Sequence, residues 1–205
     1  ALLLAMAAFV YIWNRGALGL RHAIFGLAYA VIALTPAAFV VVEGSRLPQL
    51  NDISTDTDDP PTLRAVARLT LPGANSVADR FDPNAVAAQR AAYPDVLGRR
   101  YQTTVTQLER LVRTVAVSEF DWTLLEAWRP VNDRDRARLE YVARSLIFGF
   151  RDDVSIRIVP DEVGARIDVR SRSRYGLHDL GANADRIRAF LTALDTAVIN
   201  ATGQQ

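Results

Sequence analysis

The chain has 205 residues, 24 basic and 23 acidic, giving a formal charge of +1, with no cysteine and two histidines. The missing cysteines exclude a disulfide scaffold, a thiol nucleophile and any Cys-ligated metal. The near-neutral balance offers no electrostatic footprint for nucleic acid. The charge is unevenly placed: every Asp and Glu lies from Glu43 onward, and the preceding residues are almost wholly apolar.

Ala1 to Trp13 is an apolar run too short to span a bilayer alone, with Tyr11 and Trp13 suited to an interfacial belt. We read it as the C-terminal part of a truncated membrane helix. A signal peptide is the competing reading, disfavoured because no basic lead precedes the run and a longer apolar segment follows. Asn14 to His22 carries Arg15 and Arg21 without an acid, which the positive-inside rule assigns to the cytoplasm. Ala23 to Val42 is uncharged and, as a helix, would span about 30 Å. Pro36 is tolerated in such a setting. A transmembrane region over 1–43 is therefore expected, with two helices here and room for a third in the full-length chain. The rest of the chain would lie in the periplasm of a bacterium. All basic residues are Arg and none is Lys, a mark of a GC-rich genome.

Residues 44–61 read as an acidic, proline-containing linker. Asp52, Asp56, Asp58 and Asp59 invite a calcium loop, but Pro60 and Pro61 stand where an EF-hand needs its turn glycine and continuing loop. An Arg-paired or solvated acidic loop is the better expectation. Residues 62–205 form the predicted periplasmic domain. Its first part is ambiguous, with Pro72-Gly73 and Asp82-Pro83 acting as breakers. From Tyr101 onward, Val105, Leu108, Leu111, Val112 and Val115 recur at helical spacing. Phe120, Trp122 and Leu124 alternate as a strand, Leu139 to Phe148 is β-rich, and Val154, Ile156 and Ile158 alternate with Ser155 and Arg157. Pro160 to Gly164 is a hairpin turn leading to a strand through Ile167 and Val169. Ile187, Phe190, Leu191, Leu194 and Val198 mark a final helix, with Asn183 as its N-cap. The expected class is membrane-anchored α+β: a two-layer domain of about four antiparallel strands covered by helices. Trp122, Trp128, Phe148, Phe150 and Tyr175 are expected mainly as core or sheet-face packing, with any exposed subset forming a contact surface.

The segments DDVSIRI, RIDVRSRSRYG and DLGANADRI, with LNDISTDTDDPP far upstream, resemble a bacterial membrane-anchored family catalogued as domain of unknown function fourteen ninety-nine. The resemblance covers roughly Leu47 to Leu194. It implies the architecture and brings no established reaction.

Strand alternation places Arg166, Asp168, Arg170, Arg172 and Arg174 on one face. Cations at this spacing repel unless neutralised. One reading is a structural Arg–Asp network using Asp152, Asp153, Asp168, Asp179 and Asp56. A second is an anion site in which Arg170, Arg172 and Arg174 meet a helix start at Asn183 and hold a carboxylate, phosphate or lipid headgroup. A third is a hydrolase using His178 with Ser171 or Ser173 and Asp179 or Asp168, although no G-x-S-x-G elbow accompanies them. Asp152 and Asp153, adjacent on a strand, should face opposite ways. No catalytic residue, metal site or cofactor is assigned. The leading expectation is a non-catalytic inner-membrane accessory or assembly subunit. It would dock on a larger membrane complex, such as an energy-transducing one. Membrane lipids and other membrane-protein subunits are the expected partners, the latter packing against Ala28, Ala30, Ala33, Ala37 and Ala38. A periplasmic binding module for an anionic small molecule or lipid is the alternative.

Overall fold

The computed structural model describes residues 2–15, 20–69, 71–77, 81–129, 136–145 and 149–202. The chain divides into two compact units, Ala1–Leu47 and Pro48–Gln205.

The first unit consists of α1 (Leu2–Arg15) and α2 (Leu20–Arg46), which contact each other. Its helix α2 continues past Glu43, where the sequence reading began a linker, because nothing in Glu43-Gly44-Ser45 breaks the hydrogen-bond ladder before Leu47. Arg21–Arg46, with a mean hydropathy of 2.2, is long and apolar enough to cross a membrane. Among the described residues it is alone in this, since α1 is a shorter apolar helix of 14 residues.

The second unit holds β1 (Asp52–Ser54), α3 (Arg64–Ala67), α4 (Pro83–Ala92), β2 (Arg99–Tyr101), α5 (Val105–Ser118), β3 (Thr123–Trp128), β4 (Ala137–Arg144), β5 (Arg151–Asp161), β6 (Gly164–Ser173) and α6 (Ala182–Thr202). Strands β3 to β6 form an antiparallel meander. The outer edge of β6 is then shared by β1, along Arg170–Arg172, and β2, along Ala165–Ile167. The expected linker is thus corrected in part: Asp52, Ile53 and Ser54 are a strand of the sheet. Their own edge is closed by Gln89 of α4, whose side-chain amide accepts from Ser54 N at 3.1 Å and donates to Ser54 O at 2.6 Å. A side chain here supplies the two bonds that a neighbouring strand would, which removes an exposed pairing edge.

One face of the sheet is apolar. Ile53, Leu139, Tyr141, Val154, Ile156, Ile158, Ile167 and Val169 are buried there. Alternation at period 2 brings them to one side, and helices α5 and α6 pack against β5 and β6 and each other. Helix α5 starts with a capping box, Thr104 bonded to Gln107 N and Gln107 reaching back, and turns Leu108, Val112, Val115 and Ala116 inward. Helix α6 contributes Ile187, Phe190, Leu191 and Leu194.

Two local readings are corrected. Phe120 and Trp122 do not lie in a strand. They leave α5 through a turn in which Asp121 takes φ 51 and Trp122 N donates to Ala116 O, and β3 begins only at Thr123. Their rings still enter the core, against Phe190. Asp82-Pro83, read as a breaker, starts α4: Asp82 accepts from Asn84 N, and proline occupies a first-turn position where no N–H is needed. The end of the strand expected over 139–148, including Phe148, lies outside the described residues.

The β5–β6 hairpin depends on Gly164, whose φ is +146 and whose missing Cβ would sit 2.6 Å from Tyr101 O and 2.8 Å from Thr103 N. Both obstacles are backbone of the segment that carries β2. Gly164→Ala is therefore expected to cost at least about 2 kcal/mol. A urea titration would read this as a lowered midpoint with unchanged slope, and an unshifted midpoint would contradict it.

Candidate functional site

The second face of the sheet is charged and largely buried. Register sets Asp153 opposite Arg172, Ser155 opposite Arg170, and Arg157 opposite Asp168, while β1 brings Asp52 beside Arg172 and Ser54 beside Arg170. Arg170 is fully buried, with Nε and Nη2 at 2.9 and 2.6 Å from the two Asp52 oxygens. This is a bidentate fork. Its guanidinium also donates to Pro61 O and lies 4.9 Å from the centroid of Phe81. Arg172 donates to Asn75 O and Ser76 O, with Asp153 at 3.7 Å and Asp52 at 3.8 Å. Arg174 pairs with Asp153 at 2.7 Å. Farther along, Arg157 and Arg166 share Asp56 and Asp168 at 2.8–3.0 Å.

Arg170, Arg172 and Arg174 are thus brought together but turned toward internal carboxylates and carbonyls. Described residues between β1 and α4, namely Asp56, Pro61, Asn75 and Ser76, lie against this face and supply several of those partners. Asp56 and Asp168 lie against Arg157 and Arg166, and Asp153 against Arg174. Asp152 faces the helices, pairing with Arg186 at 2.5 Å, so the two adjacent aspartates do point to opposite sides. Asp179 does something different. Its carboxylate accepts from Gly181 N at 2.9 Å and Asn183 N at 3.0 Å, so it caps the start of α6, and among the described residues it pairs with no arginine.

Asn183 is accordingly inside the first turn of α6, and its expected capping role is corrected. Its Oδ1 accepts from Ser171 Oγ and Arg186 Nη1, both at 2.7 Å, and its Nδ2 donates to Asn51 O and Ser173 Oγ. All four bonds of the amide are made internally, leaving none for an anion. The hydrolase arrangement does not form either. Imidazole Nδ1 of His178 accepts from Leu180 N, and the Ser171 and Ser173 hydroxyls are joined to Asn183.

Sequence reasoning left the hub Arg157 out of the network, and placed Asp52 only in an acidic loop expected to be Arg-paired or solvated. The signal existed for both, since Arg157 alternates with Ile156 and Ile158, and Asp52 stands one residue before the buried Ile53. Glu140 was missed without any such signal: it accepts from Arg64 N at 2.7 Å and Ala65 N at 2.9 Å, anchoring α3 across the sheet. Among the aromatics, Trp122 is buried, while Trp128, Phe150 and Tyr175 are exposed.

Burial pushes the Asp52, Asp152 and Asp153 carboxyls above their ordinary value, against the opposing pull of Arg170, Arg186 and Arg174 respectively. Asp56 behaves oppositely. Burial raises it, but the Asp59 N–H and the charges of Arg157 and Arg166 outweigh that and hold it below 3.8. A carboxyl depressed in the folded state contributes stability that is present above its unfolded value and is lost as pH falls through the folded one. Asp56→Asn should therefore lower the melting temperature at neutral pH, and its gap to the wild type should close in acid below 3.8. A gap that stays constant with pH would show that the charge of Asp56 contributes nothing.

The profile of a family described as protein of unknown function, DUF1499, matches residues 52–194, well over half of the chain. The chain belongs to the DUF1499 family. None of the curated proteins matches it. The DUF1499 match opens on β1 and closes within α6, so it takes in the whole sheet, the Arg–Asp network and the segment that covers it.

Proposed function

We propose that this DUF1499 protein is a non-catalytic inner-membrane protein, anchored through α2, whose 48–205 unit lies in the periplasm and docks on a larger membrane complex as an accessory or assembly subunit. The observation that carries this reading is the division of groups in the second unit. Side chains that would perform chemistry, namely Arg170, Arg172, Arg174, Asp152, Asp153 and Asn183, are bonded to one another or to backbone in the interior. The surface instead presents large apolar groups, including Leu124, Leu125 and Trp128 on the outer strand β3. Domains that bond these groups internally and present apolar groups at the surface are suited to contact with another protein. The Arg15–Arg21 basic pair supports a cytoplasmic start and hence a periplasmic domain.

Alkaline extraction should leave the chain in the membrane pellet. Mild detergent extraction of the tagged full chain, followed by mass spectrometry, should recover membrane proteins in stoichiometric amounts. Recovery of the chain alone would remove the docking role.

A further inference from the structure

Next to the Arg–Asp network lies a cavity of about 380 Å³, lined by Thr62, Trp128, Arg136, Arg138 and Arg157, with the exposed Asp59 among its walls. Its volume is that of a small-molecule site. Arg138 of β4 stands directly opposite Arg157 of β5. Like charges in that register destabilise a sheet unless neutralised. Arg157 is neutralised three times over, by Asp56, Asp59 and Asp168. Arg138 is not. Among the described residues, its buried Nε and Nη1 have no hydrogen-bond partner, and neither does the buried Thr62 Oγ1 on the same wall. Glu140 and Asp59 attract Arg138 from a distance, but Glu140 is bonded to the α3 backbone, Asp59 to Arg157, and Glu126 nearby to Arg68. Arg64 adds a further cation, its guanidinium 5.3 Å from the Trp128 ring centroid while that of Arg138 is 5.4 Å from the same ring.

Buried donors left unmet inside a native fold call for a partner that completes them. Here the missing partner must be negative, must offer several acceptor oxygens, and must fit beside an indole that is 42% exposed. We propose that this cavity binds a phosphate ester, its phosphoryl oxygens accepting from Arg138 and Thr62 Oγ1 and its organic part lying on Trp128. A phosphoryl group offers about two negative charges and three acceptor oxygens, which a fork of arginine donors matches. The ester is either a soluble compound or a lipid headgroup, with the same contacts in both cases. Burial, and the charge of Arg64 behind it, push the Arg138 pKa down, so an arriving anion relieves an existing electrostatic cost. This site is separate from the buried Arg170–Arg174 row, and it does not depend on the docking role.

The test is calorimetric titration of the full chain in detergent with phenyl phosphate and with inorganic phosphate, and binding to nanodiscs with or without phosphatidic acid. Saturable binding of phenyl phosphate is expected, weakened about tenfold or more by Arg138→Gln and several-fold by Thr62→Val, with melting temperatures retained. Preference for phenyl phosphate over the nanodiscs identifies a soluble ester. Phosphatidic acid dependence that Arg138→Gln abolishes identifies a headgroup. Should Arg138→Gln fail to fold, Thr62→Val, which removes one donor and no charge, decides. No saturable binding of any probe, or equal binding by wild type and the folded variants, would overturn the site.

Discussion

Asp52→Ala is expected to remove about 3–5 kcal/mol from the stability of the second unit, because it takes away the carboxylate facing a fully buried guanidinium. Domains of this size hold only about 5–15 kcal/mol in total, so the loss is a large share of the fold. The cost comes from removing the bidentate carboxylate partner of a charge held in a low-dielectric interior. The ion pair itself need not be strongly stabilising, since desolvating both charges offsets most of their attraction. A double replacement, Asp52→Leu with Arg170→Met, should therefore recover most of what the single one loses. Urea denaturation of the three variants against the wild type measures both effects. A loss under about 1 kcal/mol for Asp52→Ala would mean that Arg170 is already neutralised by other groups.

The second large effect is expected at Phe190. Its ring is fully buried on α6, 5.0 Å from Trp122 and 6.0 Å from Phe120. It joins the last helix to the turn that leads from α5 into β3. Phe190→Ala deletes the ring and leaves a cavity that flanking aromatics fill only partly, at a cost of about 3–5 kcal/mol. For a unit of this size that corresponds to a melting temperature lower by about 10 °C. The near-UV signal of Trp122 should weaken in the folded variant, since one aromatic neighbour is gone. A melting temperature within about 2 °C of wild type would place the anchoring of α6 elsewhere.

How far local pattern carries depends on the number of residues that record it. The hairpin of β5 and β6 was legible because Ile156 and Ile158, then Ala165, Ile167 and Val169, alternate with charged or polar residues, a period of 2 sustained across both strands. Helix α5 was legible for the same reason at its own period. Phe120 and Trp122 misled because two residues spaced by two satisfy a strand pattern as well as a turn that sends both rings inward. Asp82-Pro83 misled because one dipeptide serves equally to break a chain and to cap and start a helix. Strand β1 was missed because three residues in an acidic, proline-rich stretch carry almost no periodicity; pairing with β6 makes them a strand.

The order of residues by itself determined the apolar first unit, helices α5 and α6 and the long strands of the second, and the fact that a row of arginines shares one face. Each follows from short-range geometry: hydropathy along a helix, alternation along a strand. Only the tertiary structure decided what the arginines meet. Arg170 and Asp52 are 118 positions apart, and Arg157 and Asp56 are 101 apart. No periodicity links such residues, because the sheet register and the path of the covering segment bring them together. Among the described residues, the same register leaves Arg138 opposite Arg157 without a carboxylate bonded to it, so the proposed phosphate site rests on the folded chain and on no single segment of it.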